Sequence, residues 1–336
     1  YILGNIFGLT GVRVRVSGID LMALAGGMES SNAFVAALVA FGSMMSGKTA
    51  TIDNHGNVTV KEGHMSFADI FAFAVQLENL KFGGNTGGQG HLASIMGGAF
   101  HHVWQSGIRD AEGKQVNPYG AFSVPFLDER DYPDVEAHMA LLQPSKVYVD
   151  GKSDPRLATL TNGIWTYLLK TMDSAGFDLH YEKLGLTAEY VRALKDKDWE
   201  TVVKVINRYV DIRNELIERF IKLAFVPQKQ HGRIVGYKER YKEMIHKVLD
   251  PAEAGLLIEI LDHYVAKAME ETDEIHFVQY LLDNNFYSGY AKEVIRQARQ
   301  WGLAVMPLGA GGPGSVAILI SSKKDPQAAQ EHVIGF

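Results

Sequence analysis

The chain contains no cysteine. That absence excludes a disulfide framework, a thiolate zinc site and a cysteine nucleophile, and it suits a reducing compartment. An excess of positive charge is also missing: the formal net charge is −6. An acidic balance argues against nucleic acid as the main partner, because no basic surface is available for a phosphate backbone. No apolar run nears the roughly 18 residues that a membrane helix needs. The most apolar stretch, Ala33–Met45, is short and rich in alanine. No basic-then-apolar leader opens the chain, no repeat recurs and no low-complexity tract interrupts it. We therefore expect a cytoplasmic protein without a membrane partner, and, since it opens at Tyr1, one that lacks its upstream segment. Nothing in the sequence speaks to oligomeric state.

What is present is an ordinary globular composition, long enough for two domains. Residues 11–16 alternate apolar and charged and read as a half-buried strand. Ser30–Met45 reads as a buried helix ending at Gly47. Thr49–Val60, around Asn54-His55-Gly56-Asn57, reads as a hairpin. Ser66–Leu80 is a second helix, with Ser66 and Asp69 placed as a capping pair. A glycine-rich loop over 83–90 runs on to His91. Strands are expected around Phe100–Trp104 and Gly120–Pro125. From residue 156 to 300 the chain reads as mostly helical, with long amphipathic stretches at Trp199–Ala224 and Pro251–Met269. The second opens Asp250-Pro251-Ala252-Glu253, a cap, a first-turn proline and a first-turn acid. Ala291–Trp301 is a last helix closed by Gly302, and strands at Leu303–Leu308 and Ser315–Ser321 flank a final glycine loop. The four tryptophans, Trp104, Trp165, Trp199 and Trp301, read as core or packing residues.

Two glycine patterns mislead. Gly42-Ser-Met-Met-Ser-Gly47-Lys48-Thr49 fits the P-loop letter for letter, but that motif requires a strand before it and a helix after it. Here the order is helix, then hairpin, so a helix C-cap is the better reading. Gly309-Ala-Gly311-Gly-Pro-Gly314 fits the dinucleotide fingerprint, which joins a strand to a helix; the β-prone run Ser315–Ile320 after it speaks for a turn between strands. Ala25-Gly26-Gly27-Met28-Glu29-Ser30-Ser31-Asn32-Ala33, in contrast, opens a helix. Small residues there let backbone amides approach an anion, and the helix N-terminus adds partial positive charge. Ser-Ser-Asn is also good N-cap chemistry.

Taken together, Gly27–Ala33 and Met306–Gly314 resemble the phosphate loop and the C-terminal glycine turn of the GHMP kinase superfamily (galactokinase, homoserine kinase, mevalonate kinase and relatives). Between them, Ala74–Asn79 followed by Gly87-Gly88-Gln89-Gly90-His91 is similar to the magnesium-glutamate helix and following segment of the heptose-phosphate and fucose kinase branch. Asp150-Gly151-Lys152 through Arg156 resembles a further segment of that branch. The resemblance implies an α+β protein of the GHMP kinase fold. Residues 1–150 would form the ATP-binding domain, without its upstream motif, and 151–336 a helix-rich C-terminal domain.

It further implies an ATP- and Mg2+-dependent kinase acting on a hydroxyl of a sugar or sugar phosphate. Gly26, Gly27, Glu29, Ser30, Ser31, Asn32, Gly309, Gly311 and Gly312 would bind ATP phosphates, with Ser31 and Glu78 on Mg2+. Gly88, Lys152, Arg156 and Gly309 would face substrate, and His91 would stand where relatives carry a catalytic aspartate. A neutral imidazole can take a hydroxyl proton near pH 7. Several readings stay open. Glu29, where relatives carry glycine, is either a metal-orienting group or a solvent-facing first-turn acid, since an unscreened carboxylate repels a triphosphate. Lys152 and Arg156 are either a phosphate clamp or solvated charges. His101-His102 carry no zinc motif. A catalytically inactive nucleotide- or sugar-binding pseudokinase is the alternative to an active enzyme.

Overall fold

The computed structural model describes residues 2–12, 30–53, 55–81, 88–96, 100–104, 121–125, 127–142, 160–226, 228–230, 233–235, 237–286, 291–307 and 317–324. They mix helices with small antiparallel sheets, as an α+β chain should. They also fall into two compact units, one ending at Tyr132 and the other beginning at Pro133. The expected boundary between residues 150 and 151 lies outside the described residues, as does most of the strand expected over 11–16.

In the first unit, α1 (Ile2–Phe7) and α2 (Ser30–Ser46) precede a hairpin of β1 (Lys48–Ile52) and β2 (Val58–Glu62). Helices α3 (Phe67–Lys81) and α4 (Gln89–Met96) follow, then a second hairpin of β3 (Phe100–Trp104) and β4 (Ala121–Pro125). Helix α2 packs on α3 and α4, and its inner face of Val35, Ala36 and Val39 meets Phe7, Phe73, Ala74 and Leu77. The helix is not buried all round, as its composition suggests: Phe34, Phe41, Met44 and Met45 are exposed. Burial follows the helical period rather than the mean hydropathy.

Gly47 ends α2 at φ +66°, with its N–H donating to the Ser43 carbonyl at 3.0 Å. Strand β1 follows at once, so Gly42–Thr49 is a helix C-cap and lacks the strand-to-helix context of a P-loop. The hairpin turns where expected, with Ile52 paired to Val58 and Gly56 at φ +81°. Asp53 Oδ1 accepts from the backbone N–H groups of His55 and Asn57, which fixes the turn. Ser66 and Asp69 cap α3 reciprocally: the Ser66 N–H donates to Asp69 Oδ2 at 2.9 Å and the Asp69 N–H to Ser66 Oγ at 3.2 Å.

The second unit is built round α8 (Trp199–Phe225), after α5 (Tyr132–Glu136), α6 (Leu160–Thr171) and α7 (Ser174–Asp196). Beyond it come β6 (Gln228–Gln230), β7 (Arg233–Val235), α9 (Tyr237–His246), α10 (Pro251–Ala268), α11 (Phe277–Asn284) and α12 (Ala291–Gln300). Phe220 and Phe225 on α8 carry an aromatic cluster with Tyr237, Tyr241, Phe277 and Phe286. Burying each such ring contributes about 1.5–3 kcal/mol, which makes α8 the axis of the unit. Asp250 caps α10 by accepting from the N–H groups of Ala252 and Glu253, both at 3.0 Å.

Strands β8 (Leu303–Pro307) and β9 (Ala317–Ser321) pair antiparallel, Leu303 opposite Ser321 and Pro307 opposite Ala317. The strands around the final glycine segment thus join strand to strand, not strand to helix, against a dinucleotide loop. A third strand, β5 (Met139–Leu142), pairs with the other edge of β9. Of the tryptophans, Trp199 is buried and stacks on His138 with centroids 4.1 Å apart, while Trp165 lies under the Lys183 ammonium. Trp301 is 57% exposed, one residue beyond the end of α12.

Candidate functional site

Glu78 sits in the last turn of α3, whose Ile70, Phe73, Ala74 and Leu77 are committed to the core. That leaves Glu78 on the flank of the buried face, with 16% of its side chain exposed. Helix α4 begins directly after Gly88, whose φ is +82° and whose carbonyl accepts from the Leu92 N–H at 2.9 Å. A Cβ at Gly88 would stand 3.0 Å from Phe71 and 3.1 Å from Val75, both on α3. Glycine therefore serves twice here, in the left-handed backbone and in the close approach of α4 to α3. The first turn of α4 then carries His91 into the interior, where none of its side chain is exposed.

His91 Nε2 lies 3.0 Å from Glu78 Oε2. The two atoms are close without a well-directed hydrogen bond: Oε2, Nε2 and Nδ1 all lack a hydrogen-bond partner among the described residues. Two residues chosen separately from the sequence are thus brought together, an association that no local pattern announces. Ser30, Ser31 and Asn32 form the first turn of α2, at the helix start where phosphate-binding amides are expected. Gly26, Gly27, Glu29, Lys152, Arg156, Gly309, Gly311 and Gly312 lie outside the described residues. His101 and His102 occupy β3, opposite Val124 and Ser123. Among the described residues, no three His, Asp or Glu side chains converge on a metal position.

A feature that the sequence did not suggest is a cleft of about 610 Å³ in the second unit, between α8, α11 and α12. Its charges answer one another. Arg208 donates to both carboxylate oxygens of Glu182, at 2.6 and 2.7 Å, and to Glu215 at 2.9 Å. These bonds, chiefly those to Glu182, raise its pKa further above the ordinary guanidinium value. Arg299 pairs with Asp211 at 2.7 Å and donates to Asn207 Oδ1 at 3.1 Å. Such a wall ties helices together and leaves these two arginines engaged, so it is a weaker candidate than the Glu78–His91 pair.

Compared with family models, curated proteins and solved structures, the chain finds no match. Among the described residues, no helix is long and apolar enough to cross a membrane.

Proposed function

We propose that the chain is a kinase of the GHMP type that uses ATP and Mg2+ to phosphorylate a hydroxyl of a sugar or sugar phosphate. The observation that carries the reading is the meeting of Glu78 and His91 behind Gly88, within the unit whose helix α2 opens at the expected phosphate loop. The order helix start, acid-bearing helix, glycine, histidine, and then a strand pair round a last glycine segment is the order that the resemblance implies.

One feature of Glu78 supports a cation. Glu78 Oε2 is a buried carboxylate oxygen without a hydrogen-bond partner among the described residues, and a hard divalent ion seeks such an oxygen. When bound, Mg2+ supplies charge neutralisation at the transferring phosphoryl group. In this reading Gly26–Asn32 hold the phosphates through backbone amides, with Ser31 and Glu78 as the metal-holding side chains. His91 stands beside the acceptor hydroxyl, and Gly309–Gly314 line the floor. Transfer then depends mainly on positioning.

A panel of heptose, fucose, galactose and mannose derivatives with γ-labelled ATP tests the proposal. Label in one sugar is expected; intact ATP binding with no transfer to any of them counts against catalysis. The same pair also favours a second reading, because a fully buried His91 held 3.0 Å from the carboxylate describes a nucleotide-binding pseudokinase equally well. Mg-ATP at 100 times its dissociation constant should stabilise either form by about 2.7 kcal/mol. Stabilisation without turnover selects the pseudokinase, and no stabilisation by any nucleotide removes both.

A further inference from the structure

We infer that the outer face of α7 is a self-association surface, on which a second copy of the chain docks the same helix antiparallel to form a two-fold dimer. The inference goes beyond the proposed reaction and does not depend on it. Leu179 and Leu186 of α7 pack on the core of the second unit, and Ala193 and Leu194 are buried. On the opposite side Phe177, Tyr181 and Leu184 are 42%, 67% and 54% exposed. Ala188 and Arg192, both exposed, continue that stripe at helical spacing, with exposed Gly185 beside Leu184. Within one chain, nothing among the described residues requires glycine at 185. It lies inside a 23-residue helix, where glycine costs about 1 kcal/mol against alanine. Its φ is not positive, and a Cβ there would meet nothing within 4 Å. A second helix approaching closely would require it.

The stripe is unequal along its length, and the inequality selects a second copy as the occupant. Its first half carries the large residues Phe177, Tyr181 and Leu184, and its second half the small Gly185 and Ala188. An antiparallel pair with its two-fold axis between Leu184 and Gly185 sets each half on the other. Leu184 then faces the partner's Gly185, Tyr181 faces the partner's Ala188, and Phe177, next to Asp178, faces the partner's Arg192. Every contact occurs twice, as a two-fold interface requires. Asp178 and Arg192 are exposed and enter no ion pair among the described residues, so both charges are available. A guanidinium over an aromatic ring and beside a carboxylate is favoured on both counts. Glu182, on the same flank, is already held by Arg208. Parallel pairing would instead set Asp178 on Asp178, Arg192 on Arg192 and large residues on large. One helix face, about 35 Å long and 10 Å across, is smaller than the roughly 800 Å² that each side of a standard interface buries. The dimer is therefore in equilibrium with the monomer.

Sedimentation velocity of the full chain, from about 1 to about 200 µM, should show a reversible monomer–dimer equilibrium with a micromolar midpoint. Gly185→Leu puts a good helix former into open space, so the monomer should keep its thermal midpoint while self-association falls at least about tenfold. Asp178→Arg and Arg192→Asp should each weaken the dimer. The two together restore opposite charges across the axis and should recover it. Far-UV circular dichroism confirms that each variant is folded before it is compared. A chain that stays monomeric at the highest concentration overturns the inference, as does a dimer indifferent to Gly185→Leu or a charge-exchanged chain that does not recover. The first readout uses the unaltered protein and decides even if a variant fails to fold. Failure of sugar phosphorylation would remove the kinase reading and leave these outcomes standing.

Discussion

Replacing Gly42 with alanine sets two effects of opposite sign against each other. Gly42 lies inside α2, where alanine is favoured over glycine by about 0.5–1 kcal/mol. A Cβ there, however, would stand 2.4 Å from Phe7 Cδ2 and 2.8 Å from Cε2. Carbon atoms prefer about 3.5–4.0 Å, so the ring must retreat by about 1 Å. Phe7 is 1% exposed and edge-on to Phe73 at 6.2 Å, which leaves little space behind it. Overpacking of this kind costs about 1–3 kcal/mol. The alternative, letting α1 detach, forfeits the burial of Phe7 and costs about 1.5–3 kcal/mol. Net destabilisation of about 1 kcal/mol is expected, read as a lower urea midpoint by far-UV circular dichroism with faster amide exchange in residues 2–8. The decisive arm is the same substitution in a Phe7→Ala background. There the clash is gone and the helix preference alone acts, so Gly42→Ala should become stabilising, a coupling of about 1–3 kcal/mol. Equal effects in both backgrounds would show that Phe7 is not seated on Gly42.

Gly47→Ala should destabilise by about 1–2 kcal/mol through its left-handed φ of +66°, although nothing stands within 4 Å of the new Cβ; an unchanged thermal midpoint refutes it. Lys48→Ala should keep the whole Mg-ATP thermal shift of the unaltered protein, since Lys48 opens a strand after a helix cap; its loss would restore the P-loop reading. Asp198 accepts from the Thr201 hydroxyl and backbone N–H at the start of α8, which lowers its pKa. Its contribution is therefore complete above the ordinary carboxylate value of about 4 and is lost as pH falls through the lower folded value. Asp198→Asn should flatten the decline of the urea midpoint on the acid side, and an identical decline in both proteins would sink the argument.

Local chemistry was the legible part. The Ser66–Asp69 pair, the Asp250-Pro251 start, the Gly47 stop and the turn at Gly56 each depend on a few neighbouring residues, and each lies where the sequence placed it. Associations across the chain were not legible. Strand β5 has four residues and no distinctive alternation, and it is defined by its partner β9: the Ser321 N–H donates to the His138 carbonyl, and His138 Nδ1 lies 2.9 Å from the Ser321 carbonyl oxygen. The first helix, α1, is six residues long, too short to declare itself by period. Glu78 and His91 were each visible as candidates, yet their meeting follows from α4 packing against α3, a tertiary event.

Glycine shows why motif letters alone mislead in this chain. Gly47 and Gly302 end helices and Gly88 begins one, all three at positive φ. The backbone demand is the same whether the neighbour is an anion, another helix or solvent, so the letters recur for all three reasons. What separates the cases is the element on either side and what a Cβ would strike. At Gly47 and Gly302 a Cβ would meet nothing within 4 Å, and at Gly88 it would press on Phe71 and Val75. Gly88 is thus held to glycine by packing as well as conformation. Its consequence is chemical, because the same close approach brings an imidazole that starts one helix against the carboxylate that ends another. A bulkier residue at Gly88 would act on that pair without touching either member.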